Sequence, residues 1–356
     1  MYGRIGCGRG RPHALPNLKA ARQALAIVAL ATVLGAGGGE AATYRFTTIA
    51  SPLGTPAGDT TQALAINDQG QILFSALNST PGFNDVDVDD IYNLHTGVFT
   101  AIPDFPGALS NTTLANGISN SGQIVGQYTP PGNYYLQGFS GSTSLNTQAT
   151  AFDNYTFASA VSNDGAVTGD AGSATVGLGF IYAGGAYTYF TAADPALYFT
   201  TGEGINDSKV VVGQYGLLTG GNNGSFIDIG GIVVPFAMPG VAFTGAWGVN
   251  DANTIVGETY NGGDVSGFVE QDGVFDTVNY PGAVDTVIHG INNQGDLVGL
   301  YDFGGEQGFA FVATPVPEPA AWAMMLAGFA VVGFTLRSVR DRAKQPMPEV
   351  SKSSVA

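Results

Sequence analysis

Gly204-Ile205-Asn206-Asp207-Ser208-Lys209-Val210-Val211-Val212-Gly213 is one version of a phrase that the chain writes six times. The other copies open with Ile66-Asn67-Asp68-Gln69-Gly70, Ile118-Ser119-Asn120-Ser121-Gly122, Val161-Ser162-Asn163-Asp164-Gly165, Val249-Asn250-Asp251-Ala252-Asn253 and Ile291-Asn292-Asn293-Gln294-Gly295. Successive copies stand 52, 43, 44, 44 and 42 residues apart. Eight residues after the leading Ile or Val comes glycine in five copies (Gly126, Gly169, Gly213, Gly257, Gly299), and Phe74 in the first. Further on a small residue precedes Phe, as in Gly138-Phe139, Gly179-Phe180, Ser225-Phe226, Gly267-Phe268 and Gly308-Phe309. A glycine turn and one more alternating run follow, such as Gly273 to Val278.

The phrase has the chemistry of a tight hairpin. Asn or Ser stands where a type I turn uses a side chain that bonds its own backbone, and Gly three places later suits a residue at positive φ. Asn253 tolerates that conformation, whereas Lys209 carries a strain of about 1 kcal/mol there relative to Gly. Short β-type runs flank each turn, and nothing between Thr43 and Pro315 keeps a helical period. Four strands in a unit of this length match a propeller blade. The sixth unit stops after its third strand. The segment Tyr44 to Pro52 reads like the missing fourth. The expectation is therefore an all-β, six-bladed β-propeller over residues 43–314, closed by the N-terminal strand, with a β-solenoid as the alternative.

Charge narrows the function classes. The 356 residues hold 12 Lys+Arg against 28 Asp+Glu, and between Thr43 and Pro315 the basic residues are only Arg45 and Lys209, facing 24 acids. Such a surface cannot neutralise phosphates, so nucleic acid is not an expected partner. The single cysteine, Cys7, leaves the main body without thiol chemistry.

The ends read as addresses. Arg4, Arg9, Arg11, Lys19 and Arg22 precede the apolar run Ala24 to Leu34, and Gly39-Glu40-Ala41 offers a cleavage site, so residues 1–42 form a signal peptide. At the other end Val316-Pro317-Glu318-Pro319 precedes an uncharged run from Ala320 to Leu336, followed by Arg337, Arg340, Arg342 and Lys344. The expectation is a 315–319 stalk, one C-terminal transmembrane helix over 320–336 that meets the membrane, and a basic cytoplasmic tail over 337–356. An ordinary single-pass anchor would share this pattern.

These last residues resemble the PEP-CTERM sorting signal. The resemblance implies recognition by exosortase after passage through the secretion machinery, with Pro317, Glu318 and Pro319 as the processing site. It implies a protein anchored at the inner membrane before processing and then placed at the cell surface or in the extracellular matrix. The tail from Gln345 to Ala356 continues past the point where family members usually end. Residues 60 to 312 are similar to bacterial extracellular repeats named for a His-Ala-Phe tripeptide (HAF repeats), most closely at Gly204-Ile205-Asn206-Asp207 and Gly308-Phe309-Ala310-Phe311. Gly308 stands where that family has His, so no role of the His carries over. The resemblance implies export and repetition rather than a chemistry.

Catalytic candidates are sparse. The main body has only His95 and His289, expected on the surface and on an inner strand respectively, and Arg45 is too isolated to clamp an anion. Glu203, Glu258, Glu270, Glu306 and many Asp leave open a carboxylate pair for glycoside chemistry. Asp85, Asp87, Asp89 and Asp90 form an acidic cluster that could offer oxygens to calcium, or else serve as a solvated edge. The reading is an exported, non-enzymatic surface or biofilm-matrix binding module touching extracellular polysaccharide or another protein. A secreted glycan-acting hydrolase or lyase is the alternative.

Overall fold

Each turn phrase closes a hairpin between the first and second strands of its unit. In the first, Asn67 Oδ1 accepts the N–H of Gln69 and of Gln71, while the N–H of Gly70 bonds the Asn67 carbonyl. The residue three places after the leading Asn or Ser is left-handed in every copy: Gly70, Gly122, Gly165 and Gly295 have φ of 68°, 78°, 87° and 83°, and Lys209 and Asn253 have 59° and 61°. Lys209 is thus strained where the sequence places it.

The computed structural model describes residues 43–50, 60–78, 86–132, 135–145, 155–173, 176–192, 198–217, 223–304 and 307–316. The described residues fall into two units, one within 46–313 and one of 43–45 with 314–316. After β1 (Thr43–Thr48), the first repeat holds β2 (Thr61–Ile66), β3 (Gln71–Asn78), β4 (Val86–Asn93) and β5 (Phe99–Ala101). The second holds β6 (Leu114–Ile118), β7 (Ile124–Tyr128), β8 (Gln137–Ser140) and β9 (Thr143–Leu145). The third holds β10 (Tyr155–Val161), β11 (Val167–Ser173), β12 (Val176–Ala183) and β13 (Ala186–Phe190). The fourth holds β14 (Tyr198–Ile205), β15 (Val210–Leu217), β16 (Gly224–Ile229) and β17 (Ile232–Phe236). The fifth holds β18 (Phe243–Val249), β19 (Ile255–Tyr260), β20 (Val265–Gln271) and β21 (Val274–Thr277). The last holds β22 (Asp285–Ile291), β23 (Leu297–Asp302) and β24 (Phe309–Val316). Pairing within each repeat is antiparallel.

The structure is an all-β propeller, and it corrects the expected six separate blades plus a helix. Four blades stand as separate four-stranded sheets, β2–β5, β6–β9, β18–β21 and β1-β24-β23-β22. The strands β10 to β17 instead merge into one eight-stranded sheet. The merger is a parallel bridge between Gly177 and Phe199. A Cβ at Gly177 would lie 3.0 Å from Phe199 Cβ and 3.0 Å from the Tyr155 hydroxyl, so the missing side chain is what lets β14 come so close. No helix occurs among the described residues, and none there is long and apolar enough to cross a membrane. The helix expected over 320–336 therefore finds no support, and it lies outside the described residues, as do residues 1–42 and 317–356.

A solenoid is excluded by closure. The inner strands β2, β6, β10, β14, β18 and β22 each pack on the next, and β22 packs on β2. At the outer rim, Phe46 in β1 packs on Phe311 with ring centroids 5.5 Å apart, and the Ile49 N–H bonds the Ala310 carbonyl.

The glycine eight residues into each phrase also has a steric cause. A Cβ on Gly126, Gly169, Gly213, Gly257 or Gly299 would sit 1.8–2.0 Å from a carbonyl oxygen of the inner strand. Across from these glycines, on the third strand, lie Phe139, Phe180, Phe226, Phe268 and Phe311. All five rings are buried and form the blade cores. In the sixth repeat the ring in this place is Phe311, not Phe309. The first repeat exchanges the roles: Phe74 stands on the second strand and faces Asp90 on the third.

Candidate functional site

The sequence places Leu64, Asn116, Ser159, Glu203, Trp247 and His289 two residues before each turn phrase, flanked almost everywhere by Ala or Gly. Every inner strand shifts register at this residue, between Ala63 and Ala65, Ala115 and Gly117, Ala158 and Ala160, Gly202 and Gly204, Ala246 and Gly248, and Ile288 and Gly290. A bulge frees one residue from the ladder and re-aims its side chain. Here all six bulged residues line one cavity of about 370 Å³ on the axis of the ring. Small flanking residues allow it: a Cβ on Gly204 would lie 3.0 Å from the Trp247 carbonyl oxygen, and one on Gly248 3.0 Å from that of His289.

Toward the turns, the buried side chains of Ile66, Ile118, Val161, Ile205, Val249 and Ile291 form the next layer. Beyond it the second turn residues bond in a closed circuit. The N–H groups of Asp68, Asn120, Asn163, Asp207, Asp251 and Asn293 each donate to the side-chain oxygen of the next repeat, and Asn293 donates to Asp68.

Gln62, Gln127, Phe157, Asp170 and Thr201 complete the cavity wall. Asp170, almost fully buried, is pushed up to about 7, chiefly by burial, against hydrogen bonds from Tyr155 and Thr201 that lower it. Glu203 is pushed up to about 8 by burial and then by the Asp170 charge. The two carboxyls thus share one electrostatic environment near neutral pH. His289 Nδ1 lies 3.1 Å from the Ala63 carbonyl oxygen, which can only accept, so Nδ1 carries the hydrogen and Nε2 is the acceptor. Burial lowers His289 from its ordinary value, which keeps it neutral. Trp247 stands edge-on to His289 at 5.7 Å, and its buried Nε1–H has no aligned hydrogen-bond acceptor although Glu258 lies beside it. Asn116 Nδ2 donates to Gln127 Oε1 and to the Ala158 carbonyl. No basic side chain lines the cavity.

Of the catalytic candidates, the structure brings Glu203 and His289 to the cavity and adds Asp170. Glu258 lies beside Trp247, Glu270 accepts the Gly273 N–H, Glu306 is outside the described residues, and His95 is exposed. In the acidic cluster, Asp85 and the side chain of Asp87 are likewise outside. Asp89 accepts the Ala115 N–H at 2.7 Å, and Asp90, its neighbour on β4, is buried on the opposite face and raised by that burial. Among the described residues no three His, Cys, Asp or Glu are grouped to hold a metal ion.

A PEP-CTERM protein-sorting motif matches residues 315–340. It implies export, membrane-anchored sorting and processing by exosortase. No curated protein matches the chain. Among solved structures, the chain is similar to the β-propeller domain of the trilobed protease from Pyrococcus furiosus (10% identity, TM-score 0.44, covering 73% of this chain and 98% of that one). It is also similar to the acylaminoacyl peptidase from Pyrococcus horikoshii (9% identity, TM-score 0.43, 75% of this chain and 54% of that one).

Proposed function

We propose that this is an exported surface or matrix protein, carrying an N-terminal signal peptide over 1–42 and an exosortase processing site at Pro317, Glu318 and Pro319, whose propeller binds glycan without turning it over. One observation carries the binding reading. Six bulged side chains converge on a cavity whose wall combines amides and hydroxyls (Gln62, Asn116, Gln127, Ser159, Thr201) with two aromatic rings (Phe157, Trp247). Ring faces stack on sugar rings and amides bond their hydroxyls. A glycan array probed with the full-length protein, with and without Ca²⁺, tests it. Retention that disappears when Trp247→Ala removes the indole is the expected result, and an array without retention overturns it.

A second reading rests on Asp170 and Glu203, two carboxyls held near neutrality as an acid–base pair would be. Release of reducing ends from an array hit, lost in Glu203→Gln, would establish that activity in place of simple binding.

A further inference from the structure

The cavity has a charge pattern that a neutral sugar does not match. Asp170 and Glu203 are drawn into its wall, and neither a Lys nor an Arg lines it to balance them. The described basic side chains are elsewhere, Lys209 being paired with Asp164. Ionising these carboxyls in the cavity wall is costly without a cation, so the pair alone keeps its protons and a cationic ligand is the natural partner of its ionised form. A metal ion does not fit, because no third His, Cys, Asp or Glu is grouped with the pair. An ammonium does: it needs acceptors only, and the Glu203 and Asp170 oxygens are acceptors. The rest of the ligand meets directional groups on Gln62 and Ser159, beside the already bonded Asn116, Gln127 and Thr201, and a polymethylene amine offers them no partner. Trp247 supplies a flat surface.

We propose that the axial cavity holds an amino sugar, its ammonium group on the Glu203 and Asp170 carboxylates and its ring against Trp247. The proposal deepens the glycan-binding reading and rests on it. Binding draws the pair into its ionised form, so it releases protons near neutral pH. The other titratable groups around the pair are Tyr155, raised by burial and by Asp170, His289, which stays neutral, and Glu258 with Asp285 beyond Trp247.

The test is calorimetric titration of the full-length protein with fully deacetylated glucosamine oligomers and with their N-acetylated counterparts, in two buffers of different ionisation enthalpy. The deacetylated oligomer binds at least about tenfold more tightly, with a buffer-dependent heat that reports proton release. Glu203→Gln brings the ratio between the two oligomers close to one, and Ser159→Trp, which fills the cavity, abolishes binding of both. Equal affinity for the two oligomers, both lost in Ser159→Trp, overturns the amine proposal and leaves the glycan site standing. Binding of neither oligomer, or binding that survives a folded Ser159→Trp, overturns both. If Ser159→Trp does not fold, the ratio in Glu203→Gln decides: an unchanged ratio overturns the amine.

Discussion

The Asp68 carboxylate ties the first repeat to the last: its Oδ1 accepts the Asn293 N–H at 2.8 Å, and its Oδ2 accepts Asn293 Nδ2 at 2.9 Å and Asn120 Nδ2 at 2.7 Å. The two residues are 225 positions apart, so this contact helps close the ring. Asp68→Ala removes all three acceptor contacts and is expected to cost about 1–3 kcal/mol, read from urea unfolding. Asp68→Asn keeps the acceptor for the Asn293 N–H and loses less. Equal stability of Asp68→Ala and the parent would show that the circuit is not structural.

Lys209 offers a test of backbone strain separated from charge. Its φ of 59° favours glycine by about 1 kcal/mol, while its exposed pair with Asp164 contributes about 0.2–1 kcal/mol. In the parent, Lys209→Gly is nearly neutral, because relief and loss offset. In an Asp164→Ala background the same substitution stabilises by about 1 kcal/mol, and a double-mutant cycle by thermal melting measures the difference.

Gly213 has no room for a methyl group, since its Cβ would meet the Thr201 carbonyl oxygen at 2.0 Å. Gly213→Ala therefore shifts the inner strand and costs more than about 3 kcal/mol, or prevents folding. Gly263→Ala, where a Cβ would meet nothing within 4 Å, stays within about 0.5 kcal/mol and serves as the control.

The cavity carboxyls make stability depend on pH in the direction opposite to an ion-paired acid. Asp170 and Glu203 hold protons in the folded state up to about 7 and about 8, whereas the unfolded chain releases them near about pH 4. Over that interval the folded state binds more protons, so these groups lower stability as pH rises from about 4 to 8. Burial of neutral His289 acts the other way below about pH 6.5. Urea midpoints measured across this range should decline toward pH 8 in the parent. In the double variant Asp170→Asn, Glu203→Gln the decline should flatten, and an unchanged slope would place the pH dependence elsewhere.

How far the sequence could be read follows from which interactions are local. The turns were legible because Asn67 and Gln71, or Asn250 and Thr254, are four residues apart and bond one another. The recurring glycines were legible too, since each answers one carbonyl in the adjacent strand. The bulge was not visible, because a single extra residue leaves the alternation of Ala63 and Ala65 looking like an ordinary strand. One sign was present: the residue between the small flanking positions differs in every copy, as Leu, Asn, Ser, Glu, Trp or His, within an otherwise repetitive frame. The approach of Asp170 to Glu203 joins two repeats and has no sequence signature. The fused sheet depends on a single bridge at Gly177 that periodicity cannot register. In the sixth repeat two Phe stand two residues apart on one face of β24, so only the pairing of Phe311 with Gly299 tells which of them is the core ring.

Since the bulged residue at each inner strand contributes nothing to the ladder, recognition and architecture are written in different letters of the same repeat. Duplicated units of this kind can diversify one letter each and redraw the lining of the central chamber, while hairpins, glycine seats and phenylalanine cores continue to assemble unchanged.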